Sequence, residues 1–341
     1  MTAPLRLRLD GQALTDNWRT LARMSGRAAC GAAIKADGYG LGAIGVAIRL
    51  ADAGCRDFFV ATWAEAAALA SLALPVSVLH GVREEDMALA LTGVARPVLN
   101  TAAQVARWKA AGGGACDVMI DTGMNRLGLS VDALGLLEGL RVDTLMSHLA
   151  CADEDSVMNA RQLAAFAALA GRTRARRLSL ANSAGVALGS DYAFDLTRPG
   201  LALYGGIPRA EMRDLLAQVA MPEAQVLQRR RVSAGDTVGY NATWTAARQT
   251  EVAILNIGYA DGYFRGFSDA GSAGGGRFPV IGRVSMDLVA LDVTAAPMAE
   301  GDWVALDYAL PEAAALSGMS QYELLTGLGA RFERRWISAT V

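Results

Sequence analysis

Histidine is almost missing: the 341-residue chain has two, His80 and His148. Four cysteines, Cys30, Cys55, Cys116 and Cys151, form no Cys-x-x-Cys pair. A thiolate or imidazole metal centre is therefore not expected, and a reducing, cytoplasmic setting is. Neither charge sign dominates. Lys plus Arg number 32 against 34 Asp plus Glu, a net −2, so nothing points to nucleic acid as a partner. Long apolar runs are also lacking. The longest, residues 66–79, is interrupted by Ser71, Pro75 and Ser77 and falls short of the ~20 residues that span a membrane. The opening MTAPLRLRLD has no apolar core or cleavage site of a secretion signal. P-loop, HExxH and GxSxG patterns are absent, which leaves the NTPase, zincin and serine-hydrolase readings unsupported.

What is present is apolar residue, 52% against 19% charged, enough for a large core in one or two domains. Residues 1–10 alternate as a strand, Leu5-Arg-Leu-Arg-Leu9, and Leu14, Trp18 and Leu21 then share one helix face. Apolar segments near 28–34, 57–61, 75–79, 96–99, 116–121, 143–148, 177–181 and 194–198 read as strands. Helical segments such as 62–73, 101–111 and 159–171 separate them. Eight strands alternating with helices predict an α/β fold, a (β/α)8 TIM-type barrel, over residues 11–215. Beyond it, 226–238, 251–257, 278–293 and 303–306 read as strands, 271–276 as a flexible loop and 321–328 as a helix. These make residues 216–341 a mainly β C-terminal domain, which the strand at 1–10 is expected to join.

In such a barrel the active site lies where the strands end at their C-terminal side. Strand 1 ends in Lys35, followed by Gly38, Tyr39, Gly40 and Gly42. A lysine there can be desolvated, which lowers its pKa and makes it a nucleophile or base. Strand 5 delivers Asp121-Thr-Gly-Met-Asn-Arg126, strand 6 His148, strand 7 Asn182-Ser183, and strand 8 Arg198-Pro-Gly200 with Tyr204. Ser183 and the amides near Gly200 suit an anion such as phosphate. Taken singly each has a plainer reading: a turn at Asp121, a buried hydrogen-bonded His148, a helix cap at Asn182-Ser183. Their shared placement is the functional signal. The spacing of GYGLGA does not fit the dinucleotide fingerprint GxGxxG.

Lys35-Ala-Asp-Gly-Tyr39-Gly resembles the lysine motif of bacterial alanine racemases, fold-type III enzymes that use pyridoxal 5′-phosphate. Asp121-Thr-Gly-Met-Asn-Arg-Leu-Gly128, Ser147-His-Leu-Ala150, Asn182-Ser-Ala184, Arg198-Pro-Gly200 and Tyr204-Gly205 match further motifs in order. So do Gly239-Tyr240, Gly258-Tyr-Ala-Asp-Gly-Tyr263 with Arg265, Gly282-Arg-Val-Ser-Met-Asp287 and Tyr322-Glu323. The likeness runs from Leu9 to about Arg334. It implies alanine as the small-molecule substrate, D-alanine for peptidoglycan as the product, and a head-to-tail homodimer with shared active sites.

By this resemblance Lys35 holds the cofactor as an internal Schiff base and then serves as one proton-transfer base. Tyr240, from the partner subunit, is the other, on the opposite face. Tyr39, Asn182, Ser183, Gly200, Leu201 and Tyr322 belong to the cofactor site, the phosphate resting on Tyr39, Ser183, Tyr322 and the Gly200–Leu201 backbone. Arg198 bonds the pyridine nitrogen without yielding its proton, and His148 supports the ring and Arg198. Arg126 and the Met286 amide bind the substrate carboxylate. Tyr259, Arg265, Arg283, Asp287 and Asp153 resemble the substrate corridor. The chain departs from the pattern at Met119, where many members carry a carbamylated lysine; Asn125 or a bound anion is expected to take over. Other departures are Leu41 and Ser285. The rival readings are a racemase of wider range (serine as well as alanine), a non-catalytic pyridoxal-phosphate binding protein, and a fold-type III decarboxylase.

Overall fold

The alternation at the start of the chain forms strand β1 (Leu5–Asp10), with Leu5, Leu7 and Leu9 buried. The helix Gly11–Met24 follows and buries Leu14, Trp18 and Leu21 along one face. The computed structural model describes residues 4–337, which fall into two units: Leu14–Ala217, and residues 4–13 with 218–337.

The first unit holds β2 (Ala29–Cys30), β3 (Ala32–Ala33), β4 (Phe58–Val60), β5 (Val76–Val78), β6 (Arg96–Leu99), β7 (Cys116–Met119), β8 (Val142–Met146), β9 (Arg177–Ser179) and β10 (Leu196–Thr197). From β3 to β9 they form one parallel sheet in sequence order. β2 and β3 are halves of one strand, and this strand closes the ring. β2 pairs in parallel with β10, and the N–H groups of Gly31 and Ala33 donate to the carbonyls of Thr197 and Pro199 at 2.9 and 2.8 Å. On the other side of β10, Asp195 N–H donates to Leu178 at 3.0 Å and Arg198 N–H to Ala181 at 2.8 Å. The result is a TIM-type barrel of eight parallel strands. Only glycine fits at position 31, since a Cβ would stand 2.9 Å from both the Asp57 carbonyl and the Phe59 ring. The connecting helices are shorter than their sequence pattern, Trp63–Ala68, Ala102–Ala110 and Val157–Ala167 among them. Thr62, Thr101 and Ser156 cap their N-termini.

The second unit is mainly β. Its strands are β11 (Ala220–Val232), β12 (Thr237–Val238), β13 (Trp244–Thr245), β14 (Thr250–Leu255), β15 (Ser272–Ala273), β16 (Phe278–Ile281), β17 (Val289–Asp292), β18 (Trp303–Ala305) and β19 (Glu333–Ile337). The main sheet runs β15-β16-β17-β14-β11-β1-β19, with β18 also on β11. β1 lies antiparallel to β11 and parallel to β19. The segment 278–293 divides into β16 and β17 around a loop, and a helix at Leu310–Ser317 was not expected from the sequence. The glycine-rich loop is also more ordered than its composition suggests. Asp307 accepts from Ser272 Oγ at 2.5 Å and from the N–H groups of Gly275 and Gly276 at 2.8 and 2.7 Å.

At the N-terminal end of the barrel strands, a polar layer replaces apolar packing. Asp117, fully buried, accepts from Ser77 Oγ at 2.6 Å and Thr144 N–H at 3.0 Å. Arg177 donates twice to Asp57, at 3.0 and 2.6 Å, and once to Asp143 at 2.8 Å. Burial alone would raise the Asp143 carboxyl, but bonds from Arg177 and Arg176 outweigh it and hold the carboxyl at about 2. A depressed carboxyl stabilises the fold above its unfolded value, and that contribution is lost as pH falls toward 2. Arg177→Met strands the buried Asp57 carboxylate and removes one of the cations on Asp143, which keeps Arg176. The expected cost is about 3 kcal/mol at pH 7, shrinking at pH 3, where the stranded acid can protonate. Urea unfolding of both proteins at the two pH values checks this.

Candidate active site

Lys35 follows β3 by one residue and enters an unusual turn. Ala36, Asp37, Gly38 and Tyr39 have φ of 52°, 53°, 63° and 55°, a left-handed turn in which three of four residues carry a Cβ. Each such residue costs about 1–2 kcal/mol, so the turn must be held from outside. The Asp37 carboxylate accepts from Ala43 N–H at 2.8 Å, and the Glu65 carboxylate accepts from Ala36 N–H at 2.7 Å. Gly38 fits closely there, since a Cβ would stand 3.1 Å from Ala43 Cα. Burial lowers the Lys35 pKa, the charge of Arg126 lowers it further, and Glu65 opposes both.

Arg126 hangs on a loop that Asp121 shapes. The Asp121 carboxylate accepts from the N–H groups of Gly123, Met124 and Asn125 at 2.9, 2.9 and 3.0 Å. This is the physical content of the Asp-Thr-Gly motif. Met119, at the end of β7, is buried and apolar. His148 follows β8, its segment fastened by Gln162: Nε2 donates to the His148 carbonyl at 2.9 Å and Oε1 accepts from Ala150 N–H at 2.8 Å. Burial, then the charges of Arg198, Arg126 and Lys35, push the imidazole down to about 3. Arg198 is buried and donates to Ser179 Oγ and, at 2.5 Å, to the Ser147 carbonyl. Burial lowers its guanidinium to about 10, so it stays charged at neutral pH. Lys35, Arg126, His148 and Arg198 thus share one mouth at the C-terminal ends of the strands.

An anion cradle lies beside them. Asn182 Oδ1 caps the helix Ser183–Ala187 through Gly185 N–H at 2.8 Å. Ser183 Oγ accepts from the N–H groups of Gly200 at 2.8 Å and Ala202 at 3.2 Å. Asn182 is a helix cap, and the Ser183 hydroxyl gathers two backbone N–H groups beside it. Leu201 lies between the two amides and is buried. The Tyr39 ring stacks on Tyr204 with centroids 4.7 Å apart. Its hydroxyl comes so close to Gly200 that a Cβ there would meet it at 2.2 Å.

Three expected site residues, Tyr240, Met286 and Tyr322, belong to the second unit and are 68%, 54% and 46% exposed. Tyr240 opens a short turn whose next residues, Asn241 and Ala242, have φ of 62° and 48°. The Met286 loop is laced to the Gly258–Tyr263 segment: Tyr259 N–H donates to Ser285 at 3.0 Å and Ala260 N–H to Met286 at 3.1 Å. Arg331 fixes the pair of segments, with two bonds to Asp261 at 2.6 and 2.8 Å and one to Asp287 at 2.8 Å. Of the corridor residues, Asp287 is therefore ion-paired, and Arg265 lies over the Tyr259 ring at 5.1 Å. The sequence reading passed over Glu65, Gln162, Ser179 and Arg331. Only Glu65 had a visible signal, the capping-box spacing Thr62-Trp-Ala-Glu65.

The family profile "Alanine racemase, N-terminal domain" matches residues 9–208, and "Alanine racemase, C-terminal domain" matches 219–336. The chain is 40% identical to the biosynthetic alanine racemase of Agrobacterium fabrum, covering 99% of this chain and 95% of that one. It is 41% identical to the catabolic alanine racemase of the same organism, covering 97% and 92%. Among solved structures, alanine racemase from Bartonella henselae with covalently bound pyridoxal phosphate superposes with a TM-score of 0.90, at 34% identity, over 98% of this chain and 100% of that one. The chain belongs to the alanine racemase family.

The depressed His148 has a consequence for stability. Below its ordinary value of 6.5 the unfolded chain takes up a proton that the folded site, at about 3, refuses. Stability is therefore lost as pH falls from 6.5 toward 3. Between pH 7 and pH 5 this group alone is expected to cost about 2 kcal/mol. His148→Gln should remove that loss, which unfolding midpoints of the two proteins at both pH values will show.

Proposed function

We propose that this chain is an alanine racemase that binds pyridoxal 5′-phosphate and interconverts L- and D-alanine, supplying D-alanine for peptidoglycan. The observation that carries the reading is the half-buried Lys35, its pKa lowered, beside a ready-made anion cradle at Ser183 and Gly200. The residues suit the cofactor. A phosphate has use for the Ser183 hydroxyl and for the Gly200 and Ala202 amides that converge on it. Burial and the charge of Arg126 lower the Lys35 pKa, which favours attack of its amine on an aldehyde. In this reading Tyr39, Asn182, Leu201 and Tyr322 complete the cofactor site.

When bound, the cofactor acts as an electron sink that makes the proton on the substrate α-carbon removable. Lys35 takes or returns that proton on one face. Tyr240 of the partner subunit does so on the other, which is why the active form is a homodimer. Lys35 alone could only return a proton to the side it came from. Arg126 and the Met286 amide hold the substrate carboxylate and fix which bond faces the bases. Arg198 keeps its proton, so it supplies charge and hydrogen bonds without protonating the ring. His148 stays neutral at physiological pH and gives the same mouth a hydrogen-bonding group with no added charge.

No helix among the described residues is long and apolar enough to cross a membrane. A chiral assay over alanine, serine and other small amino acids, with and without added pyridoxal phosphate, tests the activity. Equal rates on serine would replace this reading with a racemase of wider range. Lys35→Ala is expected to lose both the absorbance of the lysine-bound cofactor and racemisation; survival of both overturns the assignment. Tyr240→Phe should keep the cofactor and slow α-proton exchange unequally for the two enantiomers, read by solvent deuterium incorporation. Small, equal effects would remove Tyr240 from its role.

A further inference from the structure

We propose that Glu65 is a positioning residue for Lys35, its carboxylate bridging the loops after the first two barrel strands and holding the strained turn that aims the lysine. This rests on the reading of Lys35 as the residue that captures the cofactor. The carboxylate spends its two oxygens in different places. Oε2 accepts from the N–H groups of Ala61 and Thr62 at 2.6 and 3.2 Å, where β4 ends. Oε1 accepts from Ala36 N–H at 2.7 Å, 29 residues away in sequence.

A helix cap explains only part of this. Thr62 Oγ1 accepts from Glu65 N–H at 3.3 Å, and Glu65 accepts from Thr62 N–H in return, a complete capping box. The bond to Ala36 adds nothing to that helix. What it touches is the residue next to Lys35 and the first of the four left-handed residues. A left-handed alanine relaxes to the ordinary regions unless something holds it. Relaxation at Ala36 would swing the neighbouring lysine, and misplacement by about 1 Å can cost a hundredfold in rate. Glu65 also brings the negative field that reaches Lys35. Arg126 faces the amine from the loop after β7, and His148 from the segment after β8. Glu65 therefore sets both where the amine points and how readily it sheds its proton.

Capture of pyridoxal phosphate by the apoenzyme, followed by absorbance as a function of pH, tests this. Glu65→Gln keeps the size of the side chain but turns one acceptor into a donor facing an N–H. Capture is expected to slow by about tenfold or more. Its acid limb should move to lower pH, because the charge that favours the protonated amine is gone. Glu65→Asp keeps the charge but cannot span both loops, so capture should slow with the acid limb in place. Thr62→Ala removes the cap and leaves the Ala36 bond. It should lower Tm while capture and its pH profile stay those of the wild type.

A Glu65→Gln enzyme that behaves like Thr62→Ala, less stable but with capture within about twofold of wild type, makes Glu65 a helix cap only and overturns the proposal. Should Glu65→Gln fail to fold, wild-type capture by Glu65→Asp overturns it equally. Wild-type apoenzyme that captures no pyridoxal phosphate removes the functional reading itself and the proposal with it, an outcome distinct from normal capture by the variants.

Discussion

Four basic groups are gathered at one end of the barrel, and most of the site's chemistry follows from keeping them together. Lys35, Arg126, His148 and Arg198 cannot all carry full charge in a partly dry mouth without repelling one another. The fold resolves this unevenly. His148 gives up its proton, and Lys35 is pushed toward neutrality. Arg198 keeps its charge but spends it on neutral acceptors, Ser179 and the Ser147 carbonyl. The Asp121 carboxylate is committed to three backbone amides that shape the loop. The mouth keeps a positive excess, with the lysine pKa lowered. Such a place favours a ligand that carries its own negative charge. A phosphate-bearing cofactor with a carboxylate substrate meets that requirement twice over.

The opposite end of the barrel solves the converse problem. There the charges are of both signs and are paired: Arg177 with Asp57 and Asp143, Arg96 near Asp117. That layer offers a ligand little, because its charges are paired with one another. Its work is structural, pinning the entering ends of β4, β6, β7, β8 and β9. One barrel thus separates its electrostatics by height. A charge-paired polar layer below supports a mouth above whose charges are left for ligands. The strained left-handed turn after Lys35 belongs to the upper end, where the Glu65 and Asp37 carboxylates hold it.

Much of this was legible in the chain because barrel strands are short and sharply bounded. The residue after each apolar run could be named, and Lys35, Arg126, His148, Ser183 and Arg198 all follow such runs. What escaped was whatever depends on a distant partner. The loop 271–276 reads as flexible from its glycines, and the Asp307 that pins it is 31 or 32 residues away. Glu65 reads as part of a helix start; its bond to Ala36 exists only once two barrel strands lie side by side. β19 escaped because an edge strand, half-exposed throughout, shows no alternation to detect. The left-handed turn was hinted at by Gly38, but Ala36 and Asp37 in that conformation contradict local preference, and only their outside bonds account for it.

Stereochemistry then sets what the barrel cannot do alone. A base on one face exchanges the α-proton with retention, and inversion needs a second group behind the carbon. Within Leu14–Ala217 the candidates are poor: His148 is held neutral and weakly basic, while Arg126 and Arg198 are cations with no lone pair to offer. On the proposed function, the second base comes from outside that unit. Tyr240 is the residue whose setting suits such a role. It stands 68% exposed, ahead of two left-handed non-glycine residues, an arrangement that is costly for an idle surface side chain. Met286, 54% exposed on a loop braced by Arg331 through Asp261 and Asp287, is similarly presented rather than packed. A rigid loop that offers an amide and a turn that offers a phenol make physical sense together if both are meant for a neighbour's site. The proposed shared active site explains the strain behind Tyr240 and the exposure of Met286 by one cause.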